Sequence, residues 1–282
     1  MATFEVFVPV SEGSREIIIR EEGPNWFCAL ESALSSLGMA DNIKNIMCDI
    51  QENGDVHIAD IPSGKKFVVK ELKSAEIVEQ KEKPEQREKK AEEQVINFQE
   101  KKKEKPQITK KDEMLAELFT DVMDAWGLTD DEISSFFLDL ALKYVPSESG
   151  SYAKSDLNSS DLEFVVCRGP KGSDVCGIKV KVGQGLVGFS AKHSCYIAVS
   201  DVNKDPRFFK EISEKIEYQT TSIACIPVKS AESNITFGVL EVINKESGNR
   251  YSEDDFEVLR FISEKMAELL HSRWISKDNA LD

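Results

Sequence analysis

The sequence predicts an α+β chain. A small N-terminal ββαβββ unit is followed by a charged flexible linker and then by a larger unit in which helices flank an antiparallel sheet. Three observations carry this reading. Short runs of β-branched and aromatic residues recur near both ends of the chain, separated by stretches whose apolar residues step by three and four. Residues 73–111 are dominated by Lys, Glu and Gln, with Pro84 and Pro106 among them, and so polar a stretch buries too little apolar surface to offset the entropy of ordering it. The chain, at 282 residues, is long enough for a modest core on either side of that stretch. The expected parts are therefore residues 1–72, 73–111, 112–275 and a tail, 276–282.

The first unit opens with strand-like runs at Phe4–Val8 and Glu16–Ile19, joined by a turn at Ser11–Ser14. Gly23-Pro24-Asn25 opens a helix on which Trp26, Leu30, Ala33, Leu34 and Leu37 form one stripe, and Gly38 stops it. Three further strands follow at Ile46–Ile50, Val56–Ile58 and Lys66–Val69. Their turns are Asn53-Gly54, where both residues tolerate positive φ, and Pro62–Gly64. This unit carries no motif. In the linker, Glu85–Gln99 pairs Glu and Lys at helical spacing, Val95–Phe98 is a short apolar run, and Lys101–Lys103 is a basic cluster between Glu100 and Glu104 that reads as a solvated face.

The third part starts with two helices. Asp112 is expected to cap the first, with Leu115, Leu118, Phe119, Val122 and Trp126 on one side and Gly127 at its end. Thr129 and Glu132 form a capping box for the second, which bears Ile133, Phe136, Phe137, Leu140 and Tyr144. Strands are expected at Leu162–Cys167, Gly177–Val182, Ser222–Val228 and Thr236–Ile243. A last helix, capped by Ser252, aligns Phe256, Leu259, Ile262, Met266, Leu269 and Leu270.

Charge and cysteine usage exclude several classes. The net charge of −15 divides into −6 over residues 1–72, +3 over 73–111 and −12 over 112–282. Acidic folded parts argue against sequence-independent binding to nucleic acid or an anionic membrane. No apolar run approaches the roughly 18 residues of a membrane span, and the start reads as a strand rather than a signal peptide, so a cytoplasmic location is expected. Cys28, Cys48, Cys167, Cys176, Cys195 and Cys225 include no Cys-x-x-Cys pair, and the histidines are His57, His193 and His271. Neither a zinc site nor a disulfide framework is expected from these spacings.

Five blocks then occur in order: Gly183–Gly188 with glycines at 183, 185 and 188, Asp201–Phe208, Ser222–Val228, Gly238–Lys245 and Tyr251–Asp255. Their order and spacing resemble a GAF domain, a small-ligand sensor and dimerisation module of phosphodiesterases, adenylate cyclases and bacterial signalling proteins. The resemblance covers residues 112–275. It implies a central antiparallel sheet with terminal helices on one side, and a pocket. The pocket positions it implies are Phe164, Val166 and Arg168 on the second strand, Leu186 and Val187 in the glycine block, and Phe208 and Phe209 in a lid over 202–220. Thr220, Thr221 and Ser222 lead into the fourth strand, and Glu241 stands on the fifth. Asn244, Lys245, Tyr251 and Asp255 resemble the Asn-Lys…Phe…Asp-Glu signature of cyclic-nucleotide-binding members, with Tyr for Phe and Phe256 for the final Glu. Physically, Lys245 after a strand and Asp255 on the following helix suit an ion pair that pins helix to sheet. Arg168 stands where an acidic residue would read guanine, which counts against cyclic GMP.

The resemblance implies a non-catalytic signalling regulator that binds a small molecule or nucleotide, with no fixed cofactor or metal. The resemblance further implies a homodimer, formed by the terminal helices or by the linker; residues 1–72, which it does not cover, are expected to contact a signalling partner together with the linker. The alternative is a ligand-free dimerisation scaffold whose working surface is the N-terminal unit. A redox enzyme of the free methionine sulfoxide reductase type is the weakest reading, because Leu186 and Val187 occupy the glycine block where those enzymes place a cysteine, and no nucleophile–resolver pair stands out.

Overall fold

The computed structural model describes residues 1–9, 16–39, 46–51, 53–60, 65–72, 110–156, 158–248 and 250–278. The turns expected at Ser11–Ser14 and Pro62–Gly64, and the linker features at 85–99, 95–98 and 101–103, lie outside these residues. Among the described residues no helix is long and apolar enough to cross a membrane.

The first unit is ββαβββ. Its strands are β1 (Ala2–Pro9), β2 (Glu16–Gly23), β3 (Ile46–Ile50), β4 (Val56–Asp60) and β5 (Lys65–Leu72), with α1 (Trp26–Ser36) after β2. They form an antiparallel sheet in the order β2-β1-β5-β4-β3. The alternation along β1 puts Phe4, Val6 and Val8 beneath Trp26, Leu30, Ala33 and Leu34 of α1. Asn25 caps α1, its Oδ1 accepting from the Cys28 amide at 3.0 Å. In the turn after β3, Gly54 alone takes positive φ; Asn53 instead accepts from the Asp55 amide through its side chain.

The second unit begins with α2 (Lys110–Met123), a 3-10 turn (Asp124–Gly127) and α3 (Asp130–Tyr144). Next come β6 (Ser147–Ser155), β7 (Asp161–Arg168), the short α4 (Gly172–Val175), β8 (Lys179–Lys181) and α5 (Gly185–His193). The chain continues through β9 (Ile197–Val199), α6 (Lys210–Lys215), β10 (Ile223–Lys229), β11 (Thr236–Lys245) and α7 (Glu253–Asp278). The six strands are antiparallel neighbours in the order β8-β7-β6-β11-β10-β9. Helices α2, α3 and α7 cover one face, packing on Tyr152, Ala224, Ile226, Leu240 and Val242. The opposite face presents Ala153, Phe164, Ile223, Cys225 and Val239 to α5.

The Thr129–Glu132 capping box forms as expected, the Thr129 amide donating to Glu132 at 2.7 Å. Three expectations need correction. Helix α2 starts at Lys110, so Asp112 lies in its first turn and is not its cap. Its buried stripe is Leu118, Val122 and Ala125, whereas Phe119 and Trp126 are 54% and 70% exposed. Phe119 lies at the edge of the stripe facing Phe261, and the tighter turn after Met123 swings Trp126 outward. Helix α7 continues to Asp278, through the start of the expected tail.

The two units share a core. Strand β3 lies against β9, and Phe27 meets Phe189 of α5 edge-on, ring centroids 4.7 Å apart. Between them is Arg207. Its guanidinium lies over the rings of Trp26 at 4.6 Å and Phe189 at 4.8 Å, and Nε and Nη2 donate to Asp205 at 2.9 and 2.6 Å. Both side chains of the pair are withdrawn from solvent.

Removing Arg207 strands the Asp205 carboxylate, and an uncompensated buried charge costs about 3–5 kcal/mol. Arg207→Ala is expected to lower the free energy of unfolding of the whole chain by roughly that amount. Arg207→Lys should recover only part of it, because an ammonium cannot hold two carboxylate oxygens and stack on two rings. Urea titration of the three proteins checks both statements.

Candidate functional site

On the sheet face opposite α2, α3 and α7, a cavity of about 90 Å³ opens between the strands and the segment 208–220. The glycine block builds one wall. Gly183 and Gly185 take φ of +94° and +67°, and a side chain at Gly188 would run into the Lys181 carbonyl, so the chain doubles back tightly into α5. That turn sets Leu186 and Val187 against the cavity, both buried. Phe164 supplies the next wall from β7. Phe208 and Phe209 close it from above, and Ile212, Ile216 and Tyr218 extend that cover. Thr220 lines the rim.

The floor is part of one row of residues across the sheet, with Cys167, Ser151 and Glu241 lining the cavity and Cys225 beyond them. Register places Cys167 opposite Ser151, Ser151 opposite Glu241, and Glu241 opposite Cys225. Glu241 borders the cavity and is buried. Burial alone raises its carboxyl pKa from 4.5 to about 8, because an ion loses hydration there with no partner to replace it. Beside it Ser151 Oγ is buried without a hydrogen-bond partner. The chamber is thus apolar, with two polar groups on its floor that no other side chain meets.

Of the expected pocket residues, Phe164, Leu186, Val187, Phe208, Phe209, Thr220 and Glu241 come together here. Four others do not serve as expected. Val166 packs on the opposite, helix-covered face. The ladder slips between Tyr152 and Ala153, so that Val166 faces Tyr152 while Phe164 faces Ala153 and Val165 is left over. This bulge reverses the alternation that would put 164 and 166 on one side. Arg168 borders the cavity, but its guanidinium is spent on α3, donating to Asp139 at 2.7 and 3.0 Å and to Ser135. Thr221 and Ser222 lie behind the cavity. The Thr221 amide and hydroxyl donate to Asn244 Oδ1 at 2.8 and 2.9 Å, and Ser222 Oγ accepts from the Lys245 amide at 3.2 Å.

The Asn-Lys…Tyr…Asp residues tie the sheet to its surroundings. Asn244, at φ 55°, donates to the Gln219 carbonyl at 2.8 Å and to Glu148 at 2.8 Å, holding the end of the lid. Lys245 pairs with Asp255 at the start of α7, where Asp255 also accepts from the Ser252 amide at 2.6 Å. The Tyr251 hydroxyl donates to the Val242 carbonyl at 3.0 Å. Sequence reasoning missed Ser151 and Tyr218, which no local motif marks. It also missed a thiol pair: the sulfur of Cys176 lies 3.1 Å from that of Cys167, which lines the cavity. Among the described residues no cluster of His, Cys, Asp and Glu could hold a metal ion.

A six-stranded antiparallel sheet with helices on one face and a covered chamber on the other defines an α+β fold class. Solved structures refine that class. The GAF domain of a phosphoenolpyruvate-protein phosphotransferase from Coxiella burnetii superposes with a TM-score of 0.52 at 16% identity, over 60% of this chain and 99% of that one. The C-terminal unit of this chain has the GAF fold. No protein-family model matches the chain. Among curated proteins, 84 residues are 36% identical to the dual 3',5'-cyclic-AMP and -GMP phosphodiesterase 11A of Takifugu rubripes and to the cGMP-specific 3',5'-cyclic phosphodiesterase of Drosophila melanogaster. The match spans 29% of this chain but 9% and 7% of those proteins.

The buried carboxyl gives a stability signature. Below pH 4.5 Glu241 is neutral whether folded or not, and between there and about 8 the folded chain keeps a proton that the unfolded chain releases. Stability should therefore fall across that window, by about 5 kcal/mol from this group, and level off above it. Glu241→Gln should remove this contribution, so that the variant gains on the parent steadily from pH 5 to pH 8 in chemical denaturation.

Proposed function

We propose that this chain is a non-catalytic signalling regulator whose GAF-fold unit binds a small organic molecule in the cavity over Glu241. The observation that carries the reading is the Glu241 carboxyl, buried and facing the chamber with no compensating charge. Such a group is costly unless something meets it. The bound molecule is largely apolar, flanked by Phe164, Leu186 and Phe209, with its polar end on Glu241 and Ser151. Entry requires the lid to lift, because drug-sized ligands fill sites of about 300–1,000 Å³ and the closed chamber holds about 90 Å³. That same small volume favours the second reading, a scaffold that works with its pocket closed.

The regulator works as a homodimer and acts in trans. Phe119, Met123 and Trp126 are 54%, 51% and 70% exposed on the α2 segment, an apolar strip of the kind that marks an association surface. The first unit offers a partner surface at its edge strand β2, where Ile17 and Ile18 are exposed. The location proposed for this activity is the cytoplasm.

Two measurements test these readings on the full chain. In a thermal-shift panel of cyclic nucleotides, other nucleotides, 2-oxoacids and amino acids, one class should raise the midpoint. Binding at a hundredfold excess over Kd stabilises by about 2.7 kcal/mol, and Glu241→Ala should abolish the shift. A flat response across the panel favours the closed scaffold. Light scattering should report a dimer for the parent chain and a monomer for the Phe119→Glu, Trp126→Glu double variant; an unchanged mass would remove the α2 strip from the interface.

A further inference from the structure

We propose that Cys167, in the cavity wall, and Cys176, on the exposed side of it, form a reversible oxidation site that closes to a disulfide on reaction with a low-molecular-weight disulfide. The pair arises from the way the chain turns after β7. Gly169 and Gly177 take φ of +100° and +85°, bounding a tight excursion that contains α4. Gly172 lies directly over Cys167: a side chain there would meet the Cys167 carbonyl carbon and oxygen at 3.3 Å. With no side chain in the way, α4 lies flat on the strand, and Cys176, at its C-terminal cap, falls over the Cys167 thiol. The Cys176 S–H donates to Cys167 Sγ at 3.1 Å, about 1 Å longer than the ~2.05 Å of a disulfide bond.

The surroundings assign the order of events. Cys176 is exposed and Cys167 half-buried. Burial, with the neighbouring Cys176 thiol, holds Cys167 well above the usual thiol range, so Cys176 reacts first. Its thiolate attacks one sulfur of the oxidant RS–SR, the S–S bond breaks and RS⁻ leaves. Cys167 then gives its proton to solvent and attacks Cys176 Sγ, displacing the second RS⁻. Two protein thiols are oxidised to one disulfide, and RS–SR is reduced to two RSH.

The ring so closed contains Lys171, Gly172 and Val175, all of which line the cavity. Oxidation would therefore fix one wall of the chamber while leaving the lid free. The site does not depend on what the cavity binds. Cys48, Cys195 and Cys225 are buried, and burial raises each of their thiols above the ordinary range, so they do not compete.

The test is peptide mass mapping of the reduced, native full chain after exposure to oxidised glutathione. The expected product is a peptide pair joined through Cys167 and Cys176, lighter by two hydrogen atoms than the reduced pair, and reopened by dithiothreitol. In Cys167→Ser, Cys176 should instead hold glutathione as a lasting mixed disulfide, which shows the first step without the second. In Cys176→Ser, Cys167 should stay reduced over the same time. Lasting glutathione on Cys176 of the parent chain, or no reaction at either cysteine, would overturn the proposal.

Discussion

The Arg207 guanidinium is the interaction from which the rest of the arrangement follows. It is held by Asp205 two residues earlier and sandwiched between Trp26 of the first unit and Phe189 of α5. A buried ion pair is costly to desolvate and tolerates little displacement, because losing either partner leaves a bare charge in a low-dielectric interior. The next two residues, Phe208 and Phe209, are the roof of the cavity. The side chain that fastens the two units together thus also sets where the lid begins. Asn244 does the same at the far end, gripping Gln219 and Thr221. Between those two anchors Phe208, Phe209, Ile212, Ile216 and Tyr218 face the cavity.

The sheet beneath divides its two faces between structure and chemistry. One face is filled by α2, α3 and α7 and carries aliphatic and aromatic side chains. The other carries the row Cys167, Ser151, Glu241 and Cys225, where a strand core would ordinarily be apolar throughout. Small and polar residues there leave volume and unspent hydrogen-bonding capacity, and those are the two properties a ligand site needs. The same row places the Cys167 thiol beside the floor of the chamber, so an oxidisable group and a titratable group border a single cavity.

Much of this was legible in the residues. Runs rich in β-branched and aromatic residues located β1, β2, β3, β4, β5, β7, β8, β10 and β11, and the Thr129–Glu132 box marked the start of α3. The glycines at 183, 185 and 188 announced the turn that aims Leu186 and Val187. What stayed hidden has identifiable physical causes. Strand β6 reads Ser147-Glu-Ser-Gly-Ser-Tyr-Ala-Lys-Ser155, without a β-branched residue, yet it is central in the sheet. It suits that place because Gly150 lets Leu138 and Leu142 of α3 approach to 3.0 and 3.2 Å of where a side chain would begin. Val166 was misassigned because a bulge leaves no trace in the alternation of a short run. Arg168 was expected to serve the pocket, but its partners, Asp139 and Ser135, come from a helix some thirty residues earlier in the chain. Arg207 drew no notice, since nothing local distinguishes a buried arginine from a solvated one.

The most direct measurement is native-state hydrogen exchange over residues 202–220 in the parent chain and in Trp26→Ala. If the first unit clamps the lid through Arg207, amides of this segment should be protected in the parent and lose much of that protection in the variant, while those of β6 and β11 stay slow. Equal exchange of the lid in both proteins would contradict the account, because the segment would then be held by the second unit alone.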